Sequence, residues 1–218
     1  MAATQARQQR LWELVLPMVA EADLAHDAWH LRRVHAWAVR LAGEAGADPE
    51  LCAAAAIVHD LALVPKDSPE RAEGGARSAR LAAEVLAEAG YDAAETAVVV
   101  AAVASSSWSK GLPPANAVAI ALQDADRLDA LGAIGLMRTV ACAQAMSRPG
   151  NAGRFYDPVD PLARTARPLD DRRQCLDHLP AKLLRLAAGM HTPGARAEAA
   201  QRHAFLLGFL AACERELR

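Results

Sequence analysis

Four side chains that bind metals well lie inside apolar, alanine-rich stretches of the chain: His30, the adjacent pair His59 and Asp60, and Asp126. An imidazole or a carboxylate is costly to bury unless it is paired or coordinates a metal. The fold must therefore pair these groups or give them a shared ion. Two imidazoles and two carboxylates form a nitrogen and oxygen donor set suited to one divalent cation such as Mn, Mg, Co, Fe or Zn, and they leave coordination positions open for hydrolytic chemistry.

The apolar residues are mostly small, which favours an all-helical packing. The chain is 53% hydrophobic but only 4% aromatic, so Ala, Leu and Val must fill the core. Small side chains let helices approach closely, and no segment shows a convincing strand pattern. The sequence therefore predicts an all-α fold. Its 218 residues suit one domain with a well-developed core, and no linker divides them, so one domain over residues 1–218 is expected.

Helical periodicity and capping residues predict a bundle of roughly eight helices. Asp27 is positioned to cap a helix that runs to about Ala45, and Asp48 with Pro49 starts a helix that carries His59 and Asp60 near its end. The predicted helices cover about 5–21, 27–45, 48–60, 71–89, 92–106, 115–146, 173–190 and 194–217. Residues 148–171 are rich in Pro, Gly, Arg and Asp and predict a long, functional or mobile loop before a C-terminal helical pair.

Charge and cysteine content narrow the classes of partner and compartment. The formal net charge is -2, with 24 basic and 26 acidic residues, so no nucleic-acid polymer is expected as a partner. The four cysteines are widely separated, as expected of buried apolar residues in a reduced compartment. The N-terminal segment lacks the apolar core of a signal peptide, and no apolar run is long enough to span a bilayer. A cytoplasmic protein without a membrane partner is expected.

Three segments carry the potential ligands in the order H…HD…D: HDAWHLRRV at 26–34, IVHD at 57–60 and QDADRLD at 123–129. This order resembles that of the HD-domain metal-dependent phosphohydrolase superfamily. Two further segments, ALGAIG at 130–135 and DHLPAKLL at 177–184, resemble a small stand-alone bacterial subgroup of that superfamily. The resemblance therefore covers nearly the whole chain.

The resemblance implies a helical HD domain in which His30, His59, Asp60 and Asp126 hold a divalent metal. It implies hydrolysis of a phosphate ester or anhydride, with a nucleotide or nucleoside polyphosphate as the expected small substrate. Members that hold two metals use extra histidines between the HD pair and the final Asp, whereas this chain has none from residue 61 through 177. One metal per chain is therefore expected. The acidic residues that follow the HD pair in alarmone hydrolases are replaced here by residues 61–64, Leu-Ala-Leu-Val.

Other residues are candidates for substrate contacts and proton transfer. Lys66 and Arg71 follow the HD pair on a predicted loop, where they could reach a substrate phosphate. His178 and Lys182 are one helical turn apart and can point together towards a phosphate. Alternatively, His178 and Lys182 lie on a solvated helix surface and contact no substrate. Asp67 or Asp124 could orient a water or pass a proton, and no spacing rule selects between them. These side chains complete the predicted site.

Two other functions remain open at this point. The segment from His26 to His30 is similar to the zinc-protease pattern H-E-x-x-H, with Asp in place of Glu, but the shorter Asp and the position at a helix start disfavour a protease. The second alternative is a catalytically weak nucleotide-binding or regulatory HD protein. Retention of all four ligands argues against it, whereas the missing family histidine and acidic pair leave it open.

Overall fold

The structure, a computed structural model, describes residues 2–19, 23–62, 64, 68, 73–165 and 167–217. Within these ranges there is no strand, and two isolated β-bridges are the only extended pairings. The all-α prediction is therefore confirmed. The helices are α1 (Ala2–Met18), α2 (Ala28–Ala45), α3 (Pro49–Val58), α4 (Gly74–Glu88), α5 (Ala93–Ala104), α6 (Ala117–Asp129), α7 (Gly132–Met146), α8 (Leu184–Leu186) and α9 (Pro193–Glu216).

Helix α3 lies at the centre of the core. Its residues from Cys52 to Val58 are completely buried. A helix that is apolar all round must be covered on every side, and here α1, α2, α5 and α6 all pack against it. The short alanine side chains of this segment allow that close approach. Because α3 ends at Val58, the fold places His59 and Asp60 inside the bundle at the C-terminal end of its central helix.

The starts of α2 and α3 follow from local capping, as predicted. The Asp27 carboxylate accepts a hydrogen bond from the amide of His30, and the Asp48 carboxylate accepts one from the amide of Glu50. Pro49 occupies the first turn of α3, where its missing N–H costs nothing. Helix α2 packs against α3, α6 and α9. Its first turn therefore delivers His30 to the interior.

The predicted continuous helix over 115–146 is wrong, because the chain breaks between α6 and α7. Leu131 is extended (φ -106°, ψ 162°), and Gly132 has a left-handed φ of 73° that favours glycine. Gly135 is also required, because a Cβ at this position would overlap the backbone carbonyl of Ala130. These features make α7 a separate helix that packs against α6 and α9.

The predicted helix over 173–190 is also wrong in detail, since this segment is a chain of short helical turns. A 3-10 turn (Cys175–Asp177), a π turn (Leu179–Leu183), α8 and a 3-10 turn (Ala187–Gly189) follow one another. Pro180 lies in the π turn and lacks the N–H that a regular helix would use. The final helix α9 is confirmed.

Residues 148–165 and 167–171, the described part of the predicted loop, form no helix or strand and are fastened to the segment that follows. Asp160 accepts hydrogen bonds from the amides of Arg164 and Thr165 and from the Thr165 hydroxyl. Arg167 donates two hydrogen bonds, of 2.7 and 2.6 Å, to the buried Asp177 carboxylate. The loop is thereby anchored beside His178. Among the described helices, none is both long and apolar enough to cross a membrane.

Candidate metal centre

The structure brings the four predicted ligands together. His30 Nε2 lies 3.2 Å from His59 Nε2, 3.8 Å from an Asp60 carboxylate oxygen and 3.7 Å from an Asp126 oxygen. His59 Nε2 lies 3.9 Å from the same Asp126 oxygen. Helix α2, the end of α3 and helix α6 therefore direct two imidazoles and two carboxylates to one point. Among the described residues, His30, His59 and Asp60 also meet the spacing of a three-ligand metal site.

The Nδ1 atoms of the two imidazoles make hydrogen bonds that fix the orientation of the two Nε2 atoms. His30 Nδ1 lies 2.8 Å from an Asp129 carboxylate oxygen, and His59 Nδ1 lies 2.9 Å from the Ala56 carbonyl. Both partners are acceptors, which assigns the proton to Nδ1 in each ring. The two Nε2 lone pairs then face each other at 3.2 Å, an arrangement that a shared cation stabilises. Metal-ligating histidines hold their other N–H in this way, so the donor set fits a metal.

Burial and local charge favour the protonation states that a metal requires. Burial lowers the pKa of His30, and the positive charge of Arg138 lowers it further, so the neutral ring is favoured. Burial acts to raise the pKa of Asp126, but His59, His30 and Arg138 lower it below its ordinary value. Neutral imidazole and ionised carboxylate are the forms that coordinate metals. The centre is thus arranged for ligation.

Asp129 orients the centre, a role that the sequence analysis did not assign to it. Its side chain is 2% exposed and contacts His30 Nδ1 at 2.8 Å, Arg33 Nε at 2.6 Å and Arg138 Nη1 at 3.0 Å. The hydrogen bonds from His30 and Arg33 lower the pKa of Asp129 despite its burial. The i, i+3 spacing from Asp126 was the available signal, because it places both carboxylates on one face of α6.

Asp124, predicted as a catalytic candidate, is fully buried and turned towards the start of α9. One of its oxygens accepts the His191 amide at 2.8 Å, and the other accepts the amide and the hydroxyl of Thr192, each at 2.8 Å. Thr192 in turn caps α9. The structure thus gives Asp124 a structural role, which differs from the predicted one.

The metal centre opens onto a cavity of about 120 Å³. His178 and Lys182 both line it, so the structure brings these two predicted substrate contacts to the ligands. His178 Nδ1 lies 2.8 Å from an Asp171 oxygen, which fixes the ring. Arg138 adds a guanidinium to the wall. The other predicted contacts, Lys66 and Arg71, lie outside the described residues, as does the predicted catalytic residue Asp67. These three assignments stay predictions.

Residues near the centre also account for the protease-like pattern. Asp27 caps α2 with its carboxylate, while His26 lies before that helix and its Nδ1 is 2.8 Å from Asp23. This geometry lacks the two helical histidines with an intervening base that a zinc protease needs.

Arg127 fastens α6 to the segment before α9, donating to the Gly189 carbonyl at 2.6 Å. Arg127 thus holds these segments together through hydrogen bonds.

Comparisons with known proteins agree with this architecture. Residues 28–131 match the family model described as HD domain. An uncharacterized protein of Bacillus subtilis, YpgQ, is 29% identical over 215 residues, which cover 98% of this chain and 94% of YpgQ. The crystal structure of YpgQ in complex with ADP superposes with a TM-score of 0.73 at 25% identity and covers 98% of this chain and 96% of that chain.

Other solved structures are similar over nearly the same length. A Bacillus thuringiensis protein described as an HD-superfamily hydrolase gives a TM-score of 0.70 at 29% identity, with 98% of this chain and 97% of that chain covered. A Lactobacillus plantarum protein gives a TM-score of 0.75 at 29% identity, with 96% of each chain covered. The similarity therefore extends beyond the matched family segment to the C-terminal helices.

Proposed function

We propose that this protein, whose residues 28–131 form an HD domain, is a metal-dependent phosphohydrolase that acts on a nucleotide or nucleoside polyphosphate. The observation that carries the proposal is the pair of His30 and His59 Nε2 atoms 3.2 Å apart, with Asp60 and Asp126 carboxylates beside them. That donor set matches a hydrolytic divalent metal. Similarity to the protein described as an HD-superfamily hydrolase supports the reaction class.

The four ligands would hold one ion between three helices. When bound, a divalent metal supplies Lewis acidity that polarises a phosphoryl oxygen and lowers the pKa of a water towards neutrality. His30 and His59 contribute neutral nitrogen donors, whose orientation is fixed by Asp129 and the Ala56 carbonyl. Asp60 and Asp126 contribute negative charge on the side of the cavity. These residues keep the site in place before substrate arrives.

Cationic side chains in the cavity suit a phosphorylated substrate. Lys182 lines the wall as a flexible ammonium, and Arg138 lines it with a guanidinium that is held by Asp129 and by the Ala25 carbonyl. Such groups stabilise the charge on phosphoryl oxygens, including the charge that grows on a leaving group. His178, held by Asp171, offers a further polar contact. This placement supports a charged small molecule as the substrate.

Two arguments favour a nucleotide as that molecule. The relative YpgQ was crystallised with ADP, and its fold covers 98% of this chain. The near-neutral net charge gives no overall electrostatic attraction for a nucleic-acid backbone. A small nucleotide therefore fits better than a polymer.

The test uses metal-stripped protein reloaded with Mn, Mg or Co and a screen for phosphate and pyrophosphate release from nucleotides. We expect activity to return with metal, and Asp60→Asn or Asp126→Asn to lower it by about a hundredfold or more, since each removes a ligand charge. Asp170→Asn, an exposed carboxylate outside the cavity, is the matched control and should keep full activity. Full activity in both ligand variants would contradict the proposal. Metal-dependent ADP binding without any hydrolysis would instead support a nucleotide-binding protein.

A further inference from the structure

A second cavity, of about 300 Å³, adjoins the metal cavity. The two share a common wall, to which Trp108, Thr139, His178 and Lys182 all contribute. The second cavity extends from this wall between α7 and the helical turns of residues 175–189. Both spaces therefore touch the same side chains, and a ligand that spanned them would contact this shared wall.

The two cavities differ in chemistry. The metal cavity is bordered by His59, Asp60 and Asp126 and by two arginines. Ala143, Met146, Cys175 and Ala181 add apolar surface to the second cavity, and none of them is among the described residues that line the metal cavity. Ligand sites typically combine such apolar and aromatic surface with a few placed polar groups. A ligand spanning both spaces would therefore have a charged end and a flat or apolar end.

We propose that the second cavity is the subsite for the nucleoside part of a nucleotide whose phosphates lie in the metal cavity; this deepens, and rests on, the proposed phosphohydrolase function. Trp108 provides an indole at the shared wall, and aromatic rings favour planar partners. Lys182 Nζ lies 5.8 Å from the centre of the Trp108 ring, so a cation stands where base and phosphates would meet. The apolar wall of Ala143 and Met146 then faces the base.

The volume and rim charge agree with this ligand. About 300 Å³ lies at the lower end of small-molecule sites, in the range for one nucleoside and too small for a polymer. Around the rim, Arg172 and Lys182 are cationic, and Asp171 is the one acidic residue in the described lining. The balance favours an anionic ligand. The subsite would make the enzyme discriminate nucleotides from inorganic phosphates of equal charge.

The experiment fills the subsite and leaves the metal cavity intact. Ala143 lines only the second of these two cavities, so Ala143→Phe places a ring in the nucleoside space. Ala145 lies on the same helix but is exposed and outside both cavities, which makes Ala145→Phe the matched control. Binding of ADP and of inorganic pyrophosphate is measured by calorimetry on the Mn-loaded full-length protein. We expect Ala143→Phe to weaken ADP binding by about tenfold or more and to change pyrophosphate binding less than about twofold.

A second variant that fills the subsite keeps the test available if Ala143→Phe does not fold. Ala181→Phe enters the same space from the opposite wall and should produce the same selective loss, with circular dichroism confirming the helical fold. Equal losses for ADP and pyrophosphate, no loss for either, or no wild-type preference for ADP would each overturn the subsite. Because the readout is binding, it is independent of turnover. If the wild type released neither phosphate nor pyrophosphate from any nucleotide, while the filling variants still lost ADP binding selectively, the hydrolase proposal would fail and the subsite would stand as a binding site.

Discussion

Replacement of Asp129 by Asn tests whether this carboxylate maintains the metal centre. Asp129 accepts hydrogen bonds from His30 Nδ1 (2.8 Å), Arg33 Nε (2.6 Å) and Arg33 Nη2 (3.1 Å), and its oxygen lies 3.0 Å from Arg138 Nη1. All of these contacts join the two Asp129 carboxylate oxygens to hydrogen-bond donors. An amide offers one oxygen and an NH2 group, so at least one donor of the set must face another donor. We expect both stability and metal affinity to fall.

The size of the stability loss follows from the burial of the pair. Removing one partner of a buried charge pair costs about 3–5 kcal/mol, because the other charge is left without compensation. The Arg33 side chain is 34% exposed, so water can solvate it in part and the lower end, about 3 kcal/mol, applies. In a protein of this size each kcal/mol lowers the Tm by about 2–4 °C. The expected fall is about 6–12 °C.

The loss of metal affinity has a separate cause. If the new NH2 group faces His30, the ring must accept at Nδ1, which moves its proton to Nε2 and removes the lone pair that a metal needs. Loss of such an outer partner weakens metal binding by about 10–100-fold. Affinity is measured with Mn²⁺ by calorimetry at a temperature where the variant is folded, and stability by thermal unfolding of the metal-free protein.

Asp124→Asn is the matched control, since Asp124 is also a buried carboxylate of α6. Its oxygens accept from His191 and Thr192, so we expect a stability loss of about 1–3 kcal/mol from disrupted hydrogen bonds. Metal affinity of the folded control should stay within about twofold of the wild type. Wild-type affinity in folded Asp129→Asn, or an equal loss in the control, would refute the orienting role of Asp129.

Two further predictions concern packing and substrate charge. Gly135→Ala should lower stability by about 1–3 kcal/mol, because its methyl group would overlap the Ala130 carbonyl. Gly43→Ala, in an α2 position with open space around the new methyl, should raise the Tm, and equal shifts in thermal unfolding would contradict the packing argument. Lys182→Ala should lower kcat/KM for a nucleoside polyphosphate more than for an aryl phosphate, since the polyphosphate offers more charge to contact. The exposed Lys110→Ala is its control, and equal losses on both substrates would remove Lys182 as a phosphate contact.

Local signals in the sequence determined most of the helices and their starts. Asp27 and Asp48 cap α2 and α3 because a short carboxylate can reach the free amides of a first turn whatever lies around it. The alanine-rich stretch of α3 lacks a polar face, and a helix of this kind must be covered on all sides, as it is here. Both features depend on near neighbours in the chain.

The candidate ligands were likewise readable from the sequence, because His30, His59, Asp60 and Asp126 lie in apolar stretches, where such groups need a common partner. Their convergence needed no exact helix lengths. The other predicted site residues are placed differently: His178 and Lys182 line the cavity, whereas the catalytic candidate Asp124 accepts hydrogen bonds from His191 and Thr192 before α9. The residue type of a helical side chain does not reveal which neighbouring group it contacts.

Only the tertiary structure decided how the centre is supported. Periodicity over 115–146 is continuous, and in one straight helix Asp129 and Arg138 would lie about 14 Å apart along the axis. The turn at Gly132 and the close approach at Gly135 fold α7 back, which brings Arg138 Nη1 to 3.0 Å from Asp129. Helix periodicity predicts which face of a helix is apolar. It does not predict a helix break, because the free energy lost at the break is offset by packing between segments distant in the chain. The sequence therefore identified the candidate ligands, and tertiary packing determined the residues that orient them.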